Sequence, residues 1–221
     1  MTRRRHARRV VAAVLAAGVC LTATACTGGA SNGQETVSPS AEETTMDPTV
    51  PTGASLGLAP TSPGGTATES LAGIVVTIPD GAVVDEDAPV EGSADAVTYR
   101  MPGAVDGIPV LQVASSGITA DSVVDESWVQ EAAMTANPDV EEVHRSLETW
   151  PDADEAVALG WHQAVAGADG STLEIEVLTL WLRSSEGRSA KLTAIAPAGE
   201  LEGSPAYEAL LSVQLVERQG A

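Results

Sequence analysis

Phenylalanine is absent from this 221-residue chain, and its aromatic residues are four tryptophans and two tyrosines. A core has to be built from aliphatic side chains around these few rings, so each ring carries a larger share of the packing. Lysine occurs once, at Lys191, and 11 basic residues face 31 acidic ones. Five of the 11 are arginines among the first nine residues. Residues 71–221 therefore hold 6 basic against 26 acidic residues, a net charge of −20. Binding to nucleic acid phosphates needs the opposite sign, which excludes that class. Electrostatic adhesion to anionic lipid is disfavoured for the same reason. The simplest reading is a solvated acidic surface, which favours solubility and speeds encounter with a basic partner.

Cysteine is nearly as scarce. Cys20 and Cys26 are the only two, and both lie in the N-terminal region. A domain formed from later residues has no thiol, which rules out disulfides, thiolate zinc sites and a cysteine nucleophile there.

What the N-terminus does contain is an export signal. Arg3, Arg4, Arg5, Arg8 and Arg9 precede an apolar run from Val10 to Leu21 broken by Gly18, and the small residues Thr22-Ala23-Thr24-Ala25 lead to Cys26. A basic stretch, a short apolar stretch and small residues at a cleavage point make a secretory signal over Met1–Ala25. The run falls short of the roughly 20 apolar residues of a spanning helix. Cys26 at the end of the small-residue stretch is similar to the lipobox of bacterial lipoproteins, whose cysteine carries a diacylglyceryl group and becomes the first residue after cleavage. Each buried methylene contributes about 0.8 kcal/mol, so two acyl chains give a stable anchor. The expected location is the outer side of the cell membrane, with lipid on Cys26 as the attachment.

Residues 26–70 are rich in Thr, Ser, Gly, Pro and Ala, with no basic residue and no periodic apolar pattern after Cys26. They read as a disordered tether. The 44 residues after the cysteine have a flexible reach on the order of 35–40 Å.

Residues 71–218 read as one acidic α+β domain. Leu71–Ile78 alternates and ends at the turn Pro79-Asp80-Gly81. Val97–Met101 and Ile108–Ser115 are expected strands. Asp121–Ala136 predicts a helix with Val124, Trp128 and Ala132 on one face, capped by Asp121 or Ser122 and stopped at Asn137-Pro138. Val140–Thr149 fits either a strand or a short helix. Val157–Ala166, Ser171–Arg183 and Ala190–Ala196 predict three strands joined by Gly-containing turns at Asp169-Gly170 and Glu186-Gly187. On the middle strand Leu173, Ile175, Val177 and Trp181 face one way. Leu178, Leu180 and Leu182 face the other, so its far half is apolar on both sides and calls for a cover, plausibly a helix. Ser204 and Pro205 open a last helix through Leu211, and Val213-Gln214-Leu215 is expected to close the sheet. The sum is an antiparallel sheet with helices packed on it.

The cysteine signal, the Thr/Pro tether, Gly73-Ile74…Pro79-x-Gly81 and the run Gly160-Trp161…Asp169-Gly170…Leu192-Thr193-Ala194-Ile195-Ala196-Pro197 resemble the LpqN/LpqT-type lipoproteins of actinobacteria. The resemblance covers most of residues 71–217. It implies a PsbP-like α/β/α sandwich and an envelope-associated binding or accessory role with no active site to carry over.

Residues that could carry chemistry are few. Gly-x-Ser-x-Gly occurs at Gly29–Gly33 and Gly53–Gly57, both within the tether, whereas a nucleophile elbow needs a strand-to-helix turn on a sheet. Of three histidines, His6 leaves with the signal, and His144 and His162 lack the close spacing of a helical metal pair. Asp80, Asp85, Glu86 and Asp87 form one acid cluster and Asp152, Asp154 and Glu155 another. Neither has the spacing and glycine of an EF-hand loop. Glu174 and Glu176 share a strand face. Trp128 and Trp181 read as core. Trp150, beside Pro151 in an expected loop, and His162 are the candidates for contact with a ligand. No cofactor, metal site or catalytic set is expected. The leading expectation is a non-enzymatic binding or accessory module for an envelope protein. The alternatives are a carrier of a small apolar ligand or lipid, and an envelope hydrolase using His162 with carboxylates.

Overall fold

The period-two pattern of the C-terminal half becomes the centre of the protein. A computed structural model describes residues 50–51, 54–86, 88, 95–105, 107–115, 122–167 and 170–216. The expected signal peptide Met1–Ala25, Cys26, residues 27–49 of the expected tether with the first Gly-x-Ser-x-Gly, Gly53 of the second, Asp87, Asp106, Asp121 and Asp169 lie outside the described residues.

Among the described residues ten strands and two helices follow in order: β1 (Thr66–Leu71), β2 (Ile74–Ile78), β3 (Val83–Val84), β4 (Ala96–Val105), β5 (Ile108–Ser115), α1 (Val123–Thr135), β6 (Val140–Leu147), β7 (Glu155–Ala166), β8 (Thr172–Arg183), β9 (Ser189–Pro197), α2 (Pro205–Leu211) and β10 (Gln214–Leu215). The protein is mixed α+β, with every strand pairing antiparallel. One sheet has seven strands in the order β3-β4-β5-β9-β8-β7-β6, and a smaller one has the order β1-β2-β10. The sequence Val140–Thr149, open between helix and strand, supplies the edge strand β6.

Both faces of β8 are buried, as its sequence requires. Ile175, Val177 and Trp181 join Val157, Leu159, Trp161 and Ile195 on one face, where α1 packs over β6, β7 and β8. Leu178, Leu180 and Leu182 join Leu111, Leu192 and Leu210 on the other. There the cover is shared by α2 and β2, with Ile74 and Val76 of β2 fully buried. The helix expected over that face is thus joined by a second sheet. For the same reason β10 pairs with β2 in the small sheet rather than closing the large one.

Three other expectations change. Residues 71–78 are not one strand, because Gly73, at φ 79°, turns the chain between β1 and β2. A Cβ on Gly73 would stand 2.8 Å from the Arg188 side chain, so the turn needs glycine for space as well as for conformation. The stretch expected as the end of the tether carries β1, which has few apolar residues of its own and is held by pairing to β2. Upstream of β1, Leu56 and Leu58 pack against the core and Thr61 N–H donates to the Leu211 carbonyl at 3.0 Å.

Helix α1 is also turned relative to its expected face. Its buried positions are Val123, Ser127 and Glu131, while Ala132 and Val129 are exposed and Trp128 is only half-buried. Burying Glu131 is possible because Arg145 of β6 donates to it at 2.8 Å. Trp128, read as core, therefore lies at the margin.

Candidate functional site

His162 is placed by the β6–β7–β8 register, opposite Glu141 on one side and Glu176 on the other. An irregularity in β6 between Glu141 and His144 puts Glu142 at φ 55°. Its carboxylate approaches His162 Nδ1 at 3.4 Å. Nε2 stands 3.8 Å from Glu176 Oε1, beyond hydrogen-bond range. The other oxygen of Glu176 accepts from Gly199 N–H at 3.1 Å. His144 pairs with Gly160, two residues before His162, and its Nε2 contacts the Ala54 carbonyl. The two histidines thus face the same side of the sheet but have different partners.

Ser55, from the second Gly-x-Ser-x-Gly, does not meet either histidine in a hydrogen bond. Its hydroxyl turns to Glu148 at 3.4 Å, and the same carboxylate accepts from Ser146 at 2.5 Å. The described part of the motif, residues 54–57, meets β6 through Leu56 N–H on Ser146 Oγ at 3.4 Å. No strand-to-helix turn presents the serine, so the elbow geometry is not formed.

Trp150, expected in an exposed loop, is 3% exposed. Its indole N–H donates to the Val213 carbonyl at 3.1 Å, which lets the polar atom be buried with the ring. Trp181 is core, as its strand position indicates. The acid clusters have structural partners: Asp85 pairs with Arg100 at 2.7 Å, and Glu155 accepts from Ser122 Oγ and Val123 N–H at the start of α1, each at 2.9 Å. Among the described residues no group of three or more His, Asp or Glu side chains is disposed to hold a metal ion.

The polar arrangement beneath α1 joins residues far apart in the chain and has no local signal in the sequence. Lys191 Nζ lies 5.1 Å from the Trp181 ring centre and donates to Gln130 at 2.9 Å. Trp181 N–H in turn donates to Glu126 at 3.0 Å. Burial lowers the Lys191 pKa, and the Glu126 carboxylate opposes that shift.

A groove lies at the end of the large sheet where β5 and β8 begin and β9 ends. Its volume is about 530 Å³, within the ~300–1,000 Å³ typical of ligand sites. Ile108, Pro109, Leu173, Ala196 and Pro197 supply an apolar lining, and Val105, 73% exposed, stands at the β4–β5 tip. The β9–α2 connection completes the lining, with the exposed residues Glu200 and Glu202 followed by Gly203, Ser204 and Pro205. Ser204 Oγ is already engaged as the α2 cap, accepting from Tyr207 N–H at 3.1 Å. The groove has no basic residue in its lining. Neither His162 nor Trp150 belongs to it. It was not legible beforehand because it is made by four chain segments, each of which reads as an ordinary turn or strand end. The chain matches no known protein family and no curated protein.

Proposed function

We propose that this protein is an exported lipoprotein, anchored through Cys26, that presents a non-enzymatic binding module on the outer side of the membrane. The groove at the end of the large sheet carries the reading, because its lining combines the apolar side chains Ile108, Pro109, Leu173, Ala196 and Pro197 with Glu200 and Glu202. A PsbP-like arrangement of the LpqN/LpqT type is consistent with α1 on one face of the sheet and α2 on the other. Fold likeness alone would not set a function.

The carrier reading converges on the same place, because the two faces of the sheet are filled by packed side chains. The hydrolase reading, His162 with carboxylates, has Glu142 at 3.4 Å and Glu176 at 3.8 Å beside the ring, but none of these three residues belongs to the groove lining.

Two measurements test the proposal. Intact-mass analysis of protein from a native-like host should find a diacylglyceryl group on Cys26, and an unmodified thiol there would reject the anchor. Titration with the neutral apolar probe N-phenyl-1-naphthylamine, followed by amide NMR, should shift Val105, Ile108, Leu173 and Ala196. Saturating probe without shifts at these positions would reject the groove as a binding site.

A further inference from the structure

We infer that the groove takes an extended peptide segment in which apolar side chains alternate with lysine or arginine. The inference rests on the binding-module reading and specifies its occupant. The lining combines an apolar side with Glu200 and Glu202 and includes no positive group. The surrounding chain extends the negative field. Glu174 and Glu176 of β8 hold the β9–α2 connection, through the Glu174 carbonyl on Ala198 N–H at 3.0 Å and the Glu176 carboxylate on Gly199 N–H at 3.1 Å. Tyr207, two residues beyond Pro205, has its pKa raised first by burial and then by Glu202, Glu208, Glu148 and Glu176. Of the basic residues on the flanking strands, Arg100 of β4, three positions before Gly103, is paired with Asp85 at 2.7 Å, and Lys191 of β9, six positions and about 20 Å from Pro197 along the strand, turns its amine to Gln130. An apolar ligand bearing positive charge is the one this field favours.

The main chain argues for a peptide. In the β4–β5 register Arg100 pairs with Val110 and Val105 with Ile108, so Met101–Ala104 stand against Pro109 alone. Proline has no N–H to offer that stretch of β4. An extended backbone laid along this irregular stretch of β4, beside Gly103 and Val105 of the lining, is the geometry that strand addition uses. Gly103 and Gly203, both in the lining, have open space where a Cβ would stand. A backbone can approach closely at both.

Fluorescence anisotropy of the full chain with labelled Lys-Leu-Lys-Leu-Lys-Leu, Ser-Leu-Ser-Leu-Ser-Leu and Glu-Leu-Glu-Leu-Glu-Leu peptides tests this. The lysine peptide should bind at least tenfold more tightly than the serine peptide, and the glutamate peptide not at all. Glu200→Gln with Glu202→Gln should remove most of that preference. Glu86→Gln with Glu186→Gln, an equal change of net charge elsewhere, should leave it intact. If both pairs of substitutions weaken binding equally, the peptide is held by diffuse charge and the inference is wrong. Equal binding of lysine and serine peptides would also overturn it. If N-phenyl-1-naphthylamine or dodecyltrimethylammonium shifts the groove amides while no peptide binds, the peptide occupant fails and the binding module survives. If no probe perturbs the groove, both fail.

Discussion

Arg145 of β6 and Glu131 of α1 form an ion pair at 2.8 Å with 1% and 7% of their side chains exposed. The pair ties the helix to the edge strand of the large sheet, and Arg145 also donates to the Val50 carbonyl at 2.9 Å. Removing one member leaves a buried charge without its partner, at a cost of about 3–5 kcal/mol. Glu131→Ala should therefore lower the urea midpoint far more than substitution of an exposed acid such as Glu141. Replacing both residues, as Arg145→Met with Glu131→Leu, should recover most of the loss. A double variant as unstable as Glu131→Ala would show that the pair is needed for more than mutual compensation.

The same pair explains why α1 could be located from sequence but not oriented. Its limits and its Ser122 cap follow from local chemistry. Its buried face includes Ser127 and Glu131, and only a partner on β6 makes an acid acceptable there. The two apolar faces of β8 were legible because Leu178, Leu180 and Leu182 need cover wherever the strand lies. What covers them, a helix plus strands from both ends of the domain, depends on contacts distant in sequence. The groove was hidden for the same reason, since Leu173, Pro197 and Val105 carry no common local signal.

Trp150 gives a direct measure of one such contact. Its indole N–H reaches the Val213 carbonyl at 3.1 Å, 63 residues away. Trp150→Phe keeps most of the packing and leaves that carbonyl without its donor, costing about 1–3 kcal/mol. Trp150→Ala adds a cavity and should cost about 3–5 kcal/mol. Thermal unfolding followed by circular dichroism should rank the two in that order. Equal stability of wild type and Trp150→Ala would contradict the buried position.

Val50 and residues 54–61 form a strap that runs past the edge strand β6 to α2. Val50 meets Arg145, Ala54 meets His144, Leu56 meets Ser146, and Thr61 meets Leu211. Covering an edge strand removes a surface on which another chain could pair. Leu56 and Leu58 are partly buried against the core, so Leu56→Ala with Leu58→Ala should cost about 2 kcal/mol. The variant should also self-associate more readily at high concentration, as light scattering would show. With the strap docked, the tether proposed to link Cys26 to the domain shortens to residues 27–49, with a reach on the order of 25 Å. Distance measurement between the bilayer surface and a label near Val50 would separate this from the longer reach expected of a tether running to residue 70.

Glu155 marks where an apparent acid cluster is a fold device. Its carboxylate accepts from Ser122 Oγ and Val123 N–H, while Ser122 accepts from Val124 N–H at 3.1 Å. Glu155→Ala removes both the negative charge and an acceptor from the start of α1. The expected cost is about 1 kcal/mol. Asp154→Ala, at an exposed position, should be near neutral. Hydrogen exchange should show faster opening of the first turn of α1 in Glu155→Ala only.

Stability at alkaline pH should respond to two groups in opposite directions. Lys191 has its pKa lowered from 10.5, first by burial and against the pull of Glu126. The unfolded chain therefore holds this proton more tightly than the folded one. Its contribution rises with pH between the lowered folded value and about 10.5, and falls away again as pH drops through the folded value. Tyr207 has its pKa raised from 10.0, first by burial and then by Glu202, Glu208, Glu148 and Glu176. Its contribution is complete below 10.0 and is lost as pH rises through the raised folded value. Lys191→Met should flatten the rising limb, and Tyr207→Phe should weaken the decline above pH 10. In a Tyr99→Phe background, tyrosinate absorbance reports Tyr207 alone, and Glu202→Gln should move its titration back toward 10.0. A Tyr207 titration that ignores Glu202 would mean that burial alone sets the shift, and the negative field drawn beside the groove would lose that support.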